Sequence, residues 1–159
     1  MKIDDDFWMF YALSLAKFAG SIGEVAIGAV LVLNNKVVGE GYNNPIGAQD
    51  PTAHAEIVAL RRGSNVLKNY RLLRTTLYVT LEPCIMCVGA IINARISRLV
   101  FGAKNNKKFS AVDSLLSDPK VKHRVVITSG VLSNLCSKEI INFFKNRRRT
   151  QNVYSGEFL

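Results

Sequence analysis

The feature that most constrains this chain is a pair of short segments that must meet in space if they act together. One is His54-Ala55-Glu56. The other, about thirty residues on, is Pro83-Cys84-Ile85-Met86-Cys87. Each is predicted to open a helix, with a strand over 76–81 between them. Asp50-Pro51 starts the first helix, because aspartate is a good N-cap and proline is tolerated at the first helical position. That helix is expected to run to about residue 62, where Gly63 ends it. Pro83 starts the next, over 84–94. Cys84 and Cys87 then share a face of its first turn, where the helix dipole and free backbone N–H groups favour thiolate. His54 and Glu56 would diverge in mid-helix and converge only at a helix start.

The rest of the chain supplies a scaffold for this. Residues 4–19 read as a helix, with acidic residues in the first turn, Phe7, Phe10, Tyr11, Ser14 and Phe18 at helical spacing, and Gly20 as a cap. Strands are predicted over 25–33 and 37–42, joined as a hairpin by Asn34-Asn35-Lys36. A loop with Pro45 and Gly47 covers 43–49. Further strands are expected at 98–103 and 124–128. Between them lies mostly loop, with a short helix near 112–116. An amphipathic helix over 133–149 and a polar tail close the chain. A hairpin followed by alternating strands and helices implies an α/β fold: a mixed five-stranded sheet with helices on both faces.

The chain has 159 residues, the size of one domain, so 1–159 is expected to be a single unit. Its 48% hydrophobic and 21% charged residues exclude disorder on composition. The longest strong apolar stretch, 26–33, falls well short of the ~18–20 residues of a membrane span, so no membrane partner is expected. Asp4-Asp5-Asp6 stands where a secretory signal needs a basic leader. Three cysteines, an odd number, argue against a secreted disulfide framework. A cytoplasmic location is expected.

The two motifs carry the chemistry. Zinc accepts imidazole nitrogen and thiolate sulfur, and His54, Cys84 and Cys87 offer three such donors. Three protein ligands leave the fourth position open, which is the layout of a catalytic rather than a structural ion. Glu56 then reads as a proton shuttle between water and a substrate ring nitrogen and leaving amine. Taken alone, HxE is weak, and CxxC after a strand also fits a redox pair. The combination H-x-E…P-C-x-x-C is the signature of zinc-dependent nucleobase deaminases. A structural site would need a fourth ligand, for which His123 and Cys136 are the candidates. Cys136 fits the apolar pattern of the last helix, and His123 is expected at the surface.

The charge is lopsided. The chain carries +9, and residues 104–149 alone carry eleven basic and three acidic side chains. Clustered cations attract polyanions with salt-dependent affinity. A merely basic protein with cations at helix C-termini is the simpler alternative.

Over 10–149 the chain resembles the bacterial tRNA-specific adenosine deaminases, within the cytidine/deoxycytidylate deaminase superfamily. The resemblance lies in Gly28-Ala29-Val30-Leu31-Val32, Gly39-Glu40-Gly41-Tyr42-Asn43, Asp50-Pro51-Thr52-Ala53-His54-Ala55-Glu56-Ile57, Asn69-Tyr70-Arg71-Leu72, Leu77-Tyr78-Val79-Thr80-Leu81-Glu82-Pro83-Cys84, Val100-Phe101-Gly102-Ala103 and Phe143-Phe144-Lys145. It implies a cytidine-deaminase-like three-layer fold, a homodimer, one zinc per subunit and no organic cofactor. It implies hydrolytic conversion of adenosine to inosine at the first anticodon position of arginine tRNA with the ACG anticodon. By the family's pattern His54, Cys84 and Cys87 bind zinc, Glu56 is catalytic, Asn43 contacts the target nucleotide and the backbone around Ala55 helps hold the base. The anticodon stem-loop would meet Lys145, Arg147 and Arg148, with Phe143 or Phe144 stacking on or supporting a nucleotide. At helical spacing, at least one of these rings is alternatively a buried core residue. Ala26 stands where the family has proline. Lys104-Asn105-Asn106 replaces a stretch that carries aspartate, and 107–113 lacks the family's glycines. A deaminase of free bases or nucleosides and a non-catalytic zinc-bearing RNA-binding protein are the competing readings. The apolar residues at 88–92 are the expected dimer surface.

Overall fold

The hairpin is the start of a single sheet. Strand β1 (Gly28–Leu33) pairs antiparallel with β2 (Lys36–Tyr42). Asn34 and Asn35 between them both have positive φ, 51° and 58°, which gives the tight turn whose twist matches that of the strands. β1 also pairs antiparallel with β3 (Thr76–Leu81). β3 pairs parallel with β4 (Arg98–Ala103), and β4 parallel with β5 (Val126–Ser129). The order is β2-β1-β3-β4-β5. The computed structural model describes residues 4–106 and 108–156. Among these residues six helices accompany the strands: α1 (Asp5–Ser21), α2 (Pro45–Ala48), α3 (Ala55–Leu67), α4 (Ile85–Ala94), α5 (Ala111–Leu116) and α6 (Ser133–Gly156).

The three inner strands are mostly apolar, because both faces of the sheet are covered. Ala29, Leu31, Leu77, Val79, Leu99 and Phe101 face one core with Ala59 and Leu60 of α3, Val88 and Ile91 of α4, and Val112 of α5. Their neighbours Val30, Val32, Tyr78 and Val100 face the other, with Trp8, Met9, Ala12 and Leu13 of α1 and Cys136 of α6. Alternation along each strand thus builds the expected three layers. No helix among the described residues is long and apolar enough to cross a membrane.

Residues 43–49, expected as a loop, contain the short helix α2, and four further details differ from the sequence reading. The first helix forms, but Phe7, Phe10 and Phe18 face solvent. The buried face is Trp8, Met9, Ala12, Leu13, Ala16 and Ala19. Alanines stand at 12 and 16 where α1 lies so close to β1 that a Cβ on Gly28 would overlap the Ala12 carbonyl oxygen. Second, Asp50 does not cap a helix. Its carboxylate accepts from the Thr52 N–H at 2.8 Å and the Thr52 hydroxyl at 2.7 Å. This turn delays the helix to Ala55, with His54 as N-cap. Third, Gly63 does not end that helix. It lies inside, because a Cβ there would overlap a Leu31 methyl group. The chain leaves the helix at Lys68, in the left-handed conformation. Fourth, the last helix continues past 149 to Gly156, over part of the expected polar tail.

α3 lies unusually close to β2. A Cβ on Gly39 would overlap the Ala59 carbonyl oxygen, and one on Gly41 the Ala55 carbonyl oxygen. Both glycines are on one face of the strand, so the helix axis is held along it. Gly41→Ala therefore forces the start of α3 outward. Overpacking of this kind costs about 1–3 kcal/mol. The expected result is a lower denaturant midpoint at unchanged m-value, measured by urea unfolding.

Candidate active site

The site forms where two helices begin. His54 is the N-cap of α3 and Glu56 lies in its first turn; Cys84 is the N-cap of α4 and Cys87 lies in its first turn. β3 ends at Leu81, just before the Pro83-Cys84 turn, so the sheet carries the cysteines to the histidine. His54 Nδ1 is 3.6 Å from Cys84 Sγ and 3.6 Å from Cys87 Sγ. All three donor atoms lie within 4.8 Å of one another. A tetrahedral ion with metal–nitrogen and metal–sulfur bonds of about 2.05 and 2.3 Å separates nitrogen from sulfur by roughly 3.6 Å. The residues therefore fit a metal without rearrangement, and one imidazole with two thiols suits zinc. His123 is elsewhere: its Nε2 donates to the Ile96 carbonyl at 2.6 Å and it is half-buried rather than at the open surface. Cys136 is fully buried against Gly102. Neither joins the cluster.

The electrostatics favour a thiolate at Cys84. A hydrogen bond from the Cys87 thiol, and another from His54, pull Cys84 down to about 3. Cys87, hydrogen-bonded to Cys84 and buried, is pushed up. His54 is raised, chiefly by its hydrogen bond to Cys84. One thiol thus ionises readily while its neighbour holds its proton. Glu56 is 4% exposed. Burial pushes its carboxyl up to about 7, against the opposing pull of a backbone hydrogen bond and the His54 charge. A carboxyl at that level gains and loses a proton near neutral pH.

Asn43 closes one side. It is buried, its N–H donates to the Ile27 carbonyl at 3.0 Å, and its Oδ1 accepts from the Ala55 N–H at 3.3 Å. It thus satisfies one free amide at the start of α3. Ala55 is fully buried beneath it. On the other side, Asn105, Phe109 and Ser110 enclose a cavity of about 180 Å³ with Cys84 and Ile85.

α6 places the remaining expected residues. Phe143 is half-buried and lines a cleft of about 540 Å³ with Lys17, Ala26 and Arg147. Arg147 lies over its ring at 5.8 Å. Phe144 is 42% exposed and lines a second cleft, of about 520 Å³, with Leu81, Lys104, Asn105 and Asn106. Neither ring is fully buried. Lys145, Arg147 and Arg148 are exposed. The second cleft and the cavity beside Cys84 share Asn105. The 88–92 surface differs from expectation: Val88 and Ile91 are in the core, and Ile85 is the exposed apolar residue of α4. Two acidic residues not singled out as site residues from the sequence are buried nearby. Glu24 accepts from the Gly47 N–H at 2.8 Å, and Glu82 accepts from the Asn105 N–H at 3.0 Å and from the Ser110 hydroxyl. Glu82 directly precedes Pro83-Cys84, the one signal that could have marked it.

This geometry has close relatives. The family model of MafB19-like deaminases matches residues 3–148. The tRNA-specific adenosine deaminase of Buchnera aphidicola subsp. Baizongia pistaciae is 53% identical, over 97% of this chain and 96% of that protein. That of Haemophilus influenzae is 50% identical, over 94% of this chain and 88% of that protein. The chain belongs to the tRNA-specific adenosine deaminase family. A solved structure from a study of A-to-I editing by tRNA:A34 deaminases is 41% identical, with a TM-score of 0.79 over 83% of this chain and 97% of that chain. A guanine deaminase from Nitrosomonas europaea, 20% identical with a TM-score of 0.77 over 90% of this chain and 86% of that chain, shares the fold.

Cys87→Ser is expected to drop bound metal well below one ion per chain by elemental analysis, while Glu56→Gln retains it. Full occupancy in Cys87→Ser would remove Cys87 from the ligand set.

Proposed function

We propose that this deaminase converts adenosine to inosine at the first anticodon position of tRNA, with ACG-anticodon arginine tRNA as substrate and one zinc per subunit. The observation that carries the reading is the tetrahedral spacing of His54, Cys84 and Cys87 with a buried Glu56 beside them, in a chain half-identical to tRNA-specific adenosine deaminases. His54, Cys84 and Cys87 would hold the ion, whose chemistry is Lewis acidity that makes water a usable nucleophile at neutral pH.

Glu56 moves the protons. Its carboxylate takes one from the attacking water as oxygen bonds to C6 of adenine. It passes that proton to the ring nitrogen N1, then takes the second proton from the new C6 hydroxyl and gives it to the departing amine. The C6–N bond breaks and ammonia leaves, so one water enters and one ammonia departs. Burial keeps Glu56 near neutral pKa, so neither transfer is strongly uphill. Asn43 holds the start of α3, and with it Glu56, in place. Its NH2 group has no hydrogen bond among the described residues and is the group offered to the nucleotide. An adenine in an anticodon loop is unstacked and reaches a recessed site at low cost.

The exposed cations of α6 suit the phosphates of the stem-loop, and Phe144 offers a stacking face beside the loop that flanks Cys84. Pairing of two copies is supported by Ile85 on α4 and by an adjoining groove of about 560 Å³ between α3 and α4, with exposed Tyr70 at its edge. The reading places the protein in the cytoplasm with its tRNA.

The deciding experiment is sequencing of unmodified ACG-anticodon arginine tRNA after incubation, where inosine reads as guanosine. Conversion is expected at the first anticodon adenosine alone. In Glu56→Ala it should fall by about 10²–10⁴-fold with metal retained. Absence of conversion by the metal-loaded protein would favour a free base or nucleoside instead. For the RNA contact, replacing Arg147, Arg148 and Arg149 with alanine is expected to weaken tRNA binding. It should also flatten the salt dependence by roughly 0.7–0.9 log units per lost phosphate contact. Unchanged affinity would leave those arginines as solvated charge at a helix end.

A further inference from the structure

We infer that Glu82 is a positioning residue for the substrate-facing loop 104–110. Its side chain is 5% exposed, and no lysine or arginine among the described residues pairs with it. Burying a carboxylate without a counter-ion is costly unless its oxygens are hydrogen-bonded. Here both are. One accepts from the Asn105 N–H at 3.0 Å, and the other accepts from the Ser110 hydroxyl. The Glu82 N–H donates to the Ala103 carbonyl at 2.8 Å. One residue therefore grips the loop at its root, near its start and at its end.

The grip has a consequence for the site. Glu82 is two residues from Cys84, so the turn that carries the metal donors also carries the anchor of the loop. The loop in turn forms one wall of the cavity at Cys84 and one wall of the cleft at Phe144. Ser110 also caps α5, accepting from the Asp113 N–H at 3.1 Å. Asn105 and Ser110 are thus held between the end of β4 and the start of α5. Glu82 sets the distance between the reacting centre and the surface that would receive the neighbouring nucleotides. This rests on the proposed tRNA substrate for its kinetic effect, but not for its effect on the loop.

The test uses Glu82→Ala and Glu82→Gln in the metal-loaded protein. Gln retains one acceptor for Asn105, and its NH2 can donate to a reoriented Ser110 hydroxyl. Glu82→Ala is expected to keep its metal, to raise KM for tRNA about tenfold with kcat changed less than about threefold, and to speed amide hydrogen exchange across 104–110. Glu82→Gln should restore KM and exchange to near wild-type. Should Glu82→Ala not fold, Ser110→Ala removes one of the two side-chain bonds together with the α5 cap, while Ser110→Thr keeps both hydroxyl contacts; Ser110→Ala is expected to raise KM and loop exchange by a smaller factor, and Ser110→Thr to leave both near wild-type. Unchanged exchange across 104–110 in whichever alanine variant folds overturns the inference. So does loss of kcat and metal together without a KM change, which would mark Glu82 as part of the scaffold alone. If the wild-type protein does not deaminate tRNA, the substrate reading fails while the exchange measurement still decides the role of Glu82.

Discussion

Gly39 and Gly41 let the backbone of α3 rest on strand β2, and the position of the site follows from that contact. A side chain at either glycine would meet a helix carbonyl oxygen. With none there, the first turn of α3 lies against the end of the hairpin. Asn43, the residue after β2, then reaches the Ala55 amide. His54 and Glu56 are placed by the same contact, because they flank that amide. On the far side of β1, β3 delivers Pro83 and Cys84 to the same end of the sheet. Two helix N-termini, each with unsatisfied N–H groups and a favourable dipole for negative charge, end up facing one another.

That convergence makes the donors chemically useful. Thiolates and a carboxylate gathered in one place would repel. Here the Cys87 thiol and His54 stabilise the Cys84 thiolate by hydrogen bonding, and burial keeps Glu56 protonated into the neutral range. The negative charge is confined to the atom best placed to bind a cation. The same enclosure that raises Glu56 also keeps bulk water away from its proton.

The sequence was most readable where the signal is carried by residue type and short spacing. The H-x-E and P-C-x-x-C pairs name donors that few other chemistries want together. Strands β3 and β4 were legible to the residue, because continuous β-branched and apolar runs are unusual outside a covered sheet. Misreadings came where a distant segment decides. The phenylalanines of α1 recur at helical spacing, yet the buried face is a different one, with alanines at 12 and 16 where Gly28 comes close. Gly63 read as a helix stop, yet it is required by Leu31 on a strand thirty residues away. Glu24 and Glu82 gave little warning, since acidic residues are ordinarily exposed. Their partners are amides and a hydroxyl brought from elsewhere in the chain.

The sequence by itself determined the donor set, the order of strands and helices, the apolar strands of a covered sheet and the basic face of the last third. These are properties of residues and their near neighbours, and they survive in any conformation. Only the tertiary structure decided that His54 stands 3.6 Å from both thiols, that Glu56 is buried enough to hold a proton near pH 7, and that Glu82 grips loop 104–110. Distances and desolvation depend on where segments remote in sequence are packed, and that packing is settled by whole helices and strands fitting together.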